Sequence, residues 1–144
     1  MDLEPLFTTM NISKSGLIAQ RKRLDVIAQN LANIETTRTA EGGPYRRQVV
    51  SLEEGKTPAS SESEANSEGR KFGGVLAKIR EDTSPFSEVY DPSHPDADSE
   101  GFVHYPNVDI VSEMTELISA TRAFEANVTA FNAAKQMMRK ALEL

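Results

Sequence analysis

The chain has 144 residues and a formal net charge of −6, from 16 basic and 22 acidic side chains. That balance argues against bulk electrostatic binding to nucleic acid or anionic lipid, and the absence of cysteine excludes disulfides and thiolate metal sites. Hydrophobic residues are 38% of the chain and aromatics 6%, thin for a conventional globular core, and the apolar residues concentrate toward the two ends.

The N-terminal stretch MDLEPLFTTMNISKSG has no basic n-region, no uninterrupted apolar run and no small-residue cleavage site, so it does not read as a Sec-type leader. No window approaches a membrane span. Both cytosolic residence and export by a route that reads no such leader fit this.

Residues 3–34 read as a first long helix. Leu3, Met10, Leu17, Leu24 and Leu31 recur every seven residues, and Leu6, Ile27 and Ile34 fall on a second seam position that Ser13 and Gln20 interrupt. Asp2 is a fitting N-cap, and Pro5 comes early enough to be tolerated. Gly16 costs about 1 kcal/mol against alanine in mid-helix. It reads first as a point where the helix bends or frays, and second as a place where a neighbouring helix approaches closely.

Residues 35–55 leave the helical pattern. Gly42, Gly43 and Pro44 signal a turn, and Tyr45 to Leu52 reads as a strand. Arg46 and Arg47 read as a solvated strand edge, with a small anion site as the alternative. The stretch 53–70 is rich in Glu, Ser, Ala and Gly and is expected to be a mobile surface loop. Phe72 with Val75 to Arg80, Phe86 to Tyr90, and Phe102 to Tyr105 read as three further strands. Between the last two lies the proline-rich run DPSHPDADSEG.

Residues 107–144 form the second long helix and contain neither proline nor glycine. Ile110, Leu117, Phe124, Phe131 and Met138 recur every seven residues, with Met114, Thr121, Val128, Lys135 and Leu142 at the second seam position. Such a helix is on the order of 50 Å long, too long to bury its stripe within so small a globule. The expected fold is therefore mainly α with a small β-rich insert. Residues 1–35 and 107–144 pair as a coiled-coil core, residues 36–106 form the outer insert, and the subunit is elongated. Polar interruptions of both seams weaken a lone hairpin but can fix register in a larger assembly.

The chemistry tests are mostly negative. His94 and His104 are the only histidines, and neither has a neighbouring nucleophile. Asp96, Asp98 and Glu100 superficially resemble a calcium loop but lack its remaining ligand positions, so a proline-bounded turn is the better reading. Neither Gly42-Gly43 nor Gly73-Gly74 leads into a phosphate-binding helix. The residues thus describe a helix-pairing, assembly-forming protein without enzymatic activity or cofactor. A soluble coiled-coil binding or chaperone module is the alternative, and a metal enzyme using His94, Asp96 and Asp98 is the weakest reading.

Arg23 to Gln48 (RLDVIAQNLANIETTRTAEGGPYRRQ) resembles the N-terminal signature of bacterial flagellar rod and hook proteins, with Asn30, Leu31, Ala32 and Asn33 matching its Asn-Leu-Ala-Asn segment. The C-terminal helix resembles the family's second signature through Glu113-Met114, Leu117-Ile118, the run RAFEAN with Arg122, Glu125 and Asn127, then Lys135 and Met137-Met138. The middle motifs, YDPSHPDAD and EGFVHYPNVDIVSEM, narrow the resemblance to members that build the cell-proximal rod. Phe102 and Phe124 stand where the family usually has tyrosine, keeping the ring and losing the hydroxyl.

The resemblance implies a structural subunit of the flagellar basal-body rod, in the periplasm, exported without a cleaved leader through the flagellar type III apparatus. It implies terminal helices that order on assembly into the inner core of a helical tube, with the β-rich middle outside. The rod so formed transmits torque to hook and filament. The implied partners are other copies of the chain, other rod proteins and the rod-to-export-gate adaptor, with no nucleic acid and no membrane insertion.

Overall fold

The computed structural model describes residues 4–56 and 72–143. Two long helices, α1 (Glu4–Ala32) and α2 (Ile110–Leu142), flank four strands: β1 (Gln48–Lys56), β2 (Phe72–Glu81), β3 (Ser87–Tyr90) and β4 (Phe102–Tyr105). The expected N-cap Asp2 and seam residue Leu3 lie outside the described residues, as does most of the stretch 53–70.

Local chemistry sets the ends of α2. Asp109 is its N-cap, with extended backbone (φ −108°, ψ 120°), and its carboxylate accepts the Ser112 amide at 2.9 Å. Glu113 stands in the first turn and Arg139 and Lys140 in the last, each matched to the helix dipole. At the other end of the insert, α1 closes on Asn33. Its backbone and side-chain N–H groups both donate to the Gln29 carbonyl, at 3.1 and 2.8 Å, and its own carbonyl accepts the Thr36 amide at 3.0 Å.

The two helices pack antiparallel. Gly16 of α1 lies against Asn127 of α2, Arg23 against Glu116, and Asn30 against Glu113. A β-carbon on Gly16 would lie 3.0 Å from Asn127 Nδ2, so this glycine marks close approach of the helices and not the bend favoured from sequence. The closeness also explains which face of α2 turns inward. Glu113, Ala120 and Ala134 are buried, with Asn127 and Ala141 half-buried at the same seven-residue spacing. Small side chains suit a short interhelical distance. Of the second seam position expected from sequence, one residue further on, Met114 (53% exposed), Thr121, Lys135 and Leu142 turn outward and Val128 is half-buried.

The β1–β2 ladder is antiparallel, from Gln48↔Glu81 to Glu54↔Val75, and breaks register between Glu54 and Lys56. β1 begins three residues later than expected and runs into the stretch assigned to the loop, because Glu53 and Glu54 are polar yet pair with Leu76 and Val75. β3 and β4 form a separate antiparallel pair. The β1–β2 hairpin covers the flank of α1, where Ala19 and Val26 are buried. There Ser15 Oγ accepts the Val75 amide at 2.9 Å, and Lys22 Nζ donates to the Ala77 carbonyl at 3.1 Å. α1 is thereby held between α2 and the hairpin.

Gly74 makes this docking possible. Its φ is +90°, and a β-carbon there would lie 2.6 Å from Ser15 Oγ. Gly74→Ala is expected to cost about 1–3 kcal/mol through the backbone alone, with the clash adding to it. A urea titration followed by far-UV circular dichroism measures the loss, and an unchanged midpoint would contradict this account.

Candidate functional site: a buried polar junction

The end of α1, the segment leading into β1 and the start of α2 meet at one polar cluster. Its centre is Asn30, 1% exposed. Its amide nitrogen donates to the Gln48 carbonyl at 2.8 Å and to Glu113 Oε2 at 3.1 Å, and its oxygen accepts from Tyr45 OH at 2.9 Å and the Gln48 amide at 3.0 Å. Both donor hydrogens and both acceptor positions are therefore used. Burial first, and then the nearby Glu113 charge, push the Tyr45 phenol above its ordinary range, which keeps it protonated as a donor.

Glu113 has no solvent exposure. Its other oxygen receives Arg47 Nε at 2.6 Å, a charge-assisted bond. The same guanidinium reaches Asp82 Oδ2 at 3.2 Å and Glu116 Oε1 at 3.7 Å, while Arg23 Nη2 meets Glu116 Oε2 at 3.0 Å. Burial lowers the Arg47 pKa, but the hydrogen bonds and charges of Glu113, Asp82 and Glu116 together outweigh it, so the net shift is upward. Arg47 is thus a partly buried internal ion-pair hub rather than the solvated strand edge expected from sequence.

Asn107, just before α2, accepts the Arg47 amide at 2.9 Å and donates to the Asp82 and Ser84 carbonyls, both at 3.3 Å. Arg46 donates to the same two carbonyls and stacks over Phe86, 4.3 Å from its centroid. Four separate stretches of chain, 23–30, 45–48, 82–86 and 107–116, are tied at this one point. The arrangement holds elements in place; it offers no free nucleophile, base or ligand set.

Three carboxylates of the insert, Asp82 half-buried and Asp98 and Glu53 exposed, are shifted down. Asp82 is held below the ordinary range by the Ser84 hydroxyl and amide, then by Arg47. Asp98 is held down by the Phe102 amide first, and Glu53 by the Lys78 ammonium. Depressed folded-state pKa values stabilise the fold above the unfolded carboxylate range, near pH 4, and that contribution is lost as pH falls through the folded values. The urea midpoint is expected to be level above about pH 5 and to fall below about pH 4, each exposed group contributing little. A midpoint that rises on acidification would contradict this.

The motif residues read from sequence separate into two sets. Asn30 is at the centre of the junction, Asn33 closes α1, and Asn127 packs against Gly16. Arg122 and Glu125 are exposed on α2. Of the seam residues, Met10, Leu17, Leu24, Leu31, Leu117, Phe124, Phe131 and Met138 are half-buried, and Ile110 is exposed at the first turn of α2. Asp96 accepts the Thr37 hydroxyl at 2.8 Å, Asp98 Oδ1 accepts the Glu100 and Phe102 amides at 2.9 Å each, and His94 Nδ1 accepts the Asp96 amide at 3.1 Å. Those three side chains staple a turn. Glu113 and Arg47 escaped sequence reasoning as a pair. The one signal was the seven-residue line that Glu113 shares with Ala120, Asn127, Ala134 and Ala141.

Comparison with known proteins places both helices in one class. Residues 10–38 match the profile described as "Flagella basal body rod protein", and residues 99–144 match "Flagellar basal body rod FlgEFG protein C-terminal". The two matched regions cover most of α1 and all of α2, the helical pair of the fold, and the relatives they point to are structural rod proteins and not enzymes. The flagellar basal-body rod protein FlgC of Bacillus subtilis strain 168 is 50% identical over 145 residues, covering 96% of this chain and 97% of the relative. The FlgC proteins of Borreliella burgdorferi and Salmonella typhimurium are 44% and 39% identical at the same coverage. The chain belongs to the FlgC family of flagellar basal-body rod proteins. No described helix is long and apolar enough to cross a membrane.

Proposed function

We propose that this chain is a subunit of the cell-proximal part of the rod, lying in the periplasm after export through the flagellar type III apparatus without a cleaved leader. Its segments 1–35 and 107–144 form a coiled-coil core, and 36–106 the outer insert of an elongated subunit. It packs against other copies of itself and other rod proteins, with the rod-to-export-gate adaptor at the cell-proximal end, and passes torque toward the hook. Family membership supports this reading, and one structural observation carries it. The helical pair uses a line of small residues to close on itself and leaves large apolar side chains of both helices outside, among them Ile18 (60% exposed) and Ile118 (56%). A subunit built to stand alone would cover them.

Deletion of the gene in its source cell tests the reading. Non-motile cells that keep an inner-membrane ring but lack rod, hook and filament, and that regain swimming with the wild-type copy, are the expected result. Normal flagella in the deletion strain would overturn it. Leu24→Asp or Phe124→Asp, each placing a charge on a seam, is expected to block complementation.

A further inference from the structure

The outward faces of α1 and α2 point away from each other, and each carries an unclosed charge pair. On α1, Ile18, Arg21 and Asp25 share one exposed face, with Phe7 and Lys14 further along it. This face turns away from both α2 and the β1–β2 hairpin. On α2, Met114, Ile118, Arg122 and Glu125 share the exposed face opposite Glu113, Ala120 and Asn127. None of Arg21, Asp25, Arg122 and Glu125 takes part in an ion pair among the described residues.

We infer that the outer face of α1 docks on the outer face of α2 of a second copy, antiparallel, with Arg21 against the second copy's Glu125 and Asp25 against its Arg122. This rests on the rod reading above and specifies one contact within it. The charges select direction and register. Run antiparallel, the order Arg21-Asp25 meets Glu125-Arg122, and both pairs close with opposite signs. Run parallel with Ile18 beside Ile118, Asp25 meets Glu125 and Arg21 falls one residue from Arg122, like against like. Other parallel registers close at most one pair. The spacings, four residues on α1 and three on α2, differ by one residue rise, about 1.5 Å, within reach of arginine side chains. In the antiparallel register Ile18 faces Thr129 of the second copy, and Ile118 faces Ala28 and Gln29.

Because the two faces are different and lie on opposite sides of the helical pair, the contact is heterologous. It cannot be satisfied by a two-fold dimer and repeats from copy to copy. All copies then point the same way, since α1 and α2 are antiparallel both within a copy and across the contact.

Cross-linking in cells tests this. The chain has no cysteine, so Ile18→Cys with Thr129→Cys supplies the only thiols. Oxidised basal bodies are expected to yield a ladder of dimers and longer chains on a non-reducing gel. Adding Arg21→Glu should lower the ladder about fivefold, the size of one reversed surface pair, and adding Glu125→Arg as well should restore it. In a cysteine-free background the same reversals should each shrink the swimming halo and together recover it. Assembled, motile rods that give no ladder overturn the contact while leaving the rod role intact. So do single reversals without effect, or reversals that fail to compensate. Loss of the rod role itself would appear only as a deletion strain that still swims.

Discussion

Arg47→Met is expected to destabilise the chain by about 3–5 kcal/mol, the cost of leaving a buried charge without its partner. Glu113 has no solvent exposure, and of its charge-assisted bonds the one to Arg47 Nε, at 2.6 Å, is the shortest. Without the guanidinium, Glu113 keeps only the Asn30 amide, while Asp82 and Glu116 also lose a cation. Urea titration by circular dichroism reads the loss. A control separates this mechanism from simple loss of packing. Arg47→Met combined with Glu113→Met removes both charges, and such double replacements recover most of the stability or exceed it. A double variant no better than Arg47→Met alone would mean that the pair's electrostatics are not the cause. Arg47→Lys should fall between, because one ammonium cannot span three carboxylates as a planar fork does.

Asn30→Asp should be nearly as damaging, at about 3 kcal/mol or more. The change is almost isosteric, so packing is preserved and the chemistry is isolated. The two amide hydrogens that satisfy Glu113 and the Gln48 carbonyl vanish, and a second carboxylate stands 3.1 Å from Glu113 Oε2. Like charges at that distance raise the pKa of the pair. The deficit relative to wild type should therefore shrink as pH is lowered from 7 toward about 5, when a shared proton restores one donor. A deficit that grows over that range, or none at neutral pH, would refute the assignment of Asn30 as donor to Glu113.

Local pattern sufficed for the elements. The seven-residue repeats place α1 and α2 to within a few residues, and β4 coincides with the expected strand Phe102–Tyr105. What pattern alone could not decide was which side of α2 faces inward. Large apolar residues drew the second expected seam position to the line of Met114 and Leu142, whereas the close approach at Gly16 favours the neighbouring line of alanines. Hydrophobicity ranks side chains by size as much as by burial, so a tight seam of small residues is easily overlooked. The junction was less legible still. Asn30 stood out through a resemblance and as one of several polar residues near the seams that can fix register, with no bonding partner named. Arg47 and Glu113 are separated by 66 residues, and a local window reads each as an ordinary surface charge, one on a strand edge and one complementing a helix dipole. Their meaning comes from a distant partner.

That separation also has a kinetic side. The Asn30–Glu113 bond joins positions 83 residues apart, whereas every bond inside the helices spans about one turn. Helical turns form in under a microsecond and a hairpin in microseconds, but closing so long a loop carries an added entropic cost and slows folding. Docking of α2 at the junction is accordingly expected to come late in folding. A chain whose C-terminal part is still held elsewhere can carry a formed α1 and hairpin, but it cannot lock. The polar knot at Asn30 thus acts as a closing step that only the complete, released chain can take.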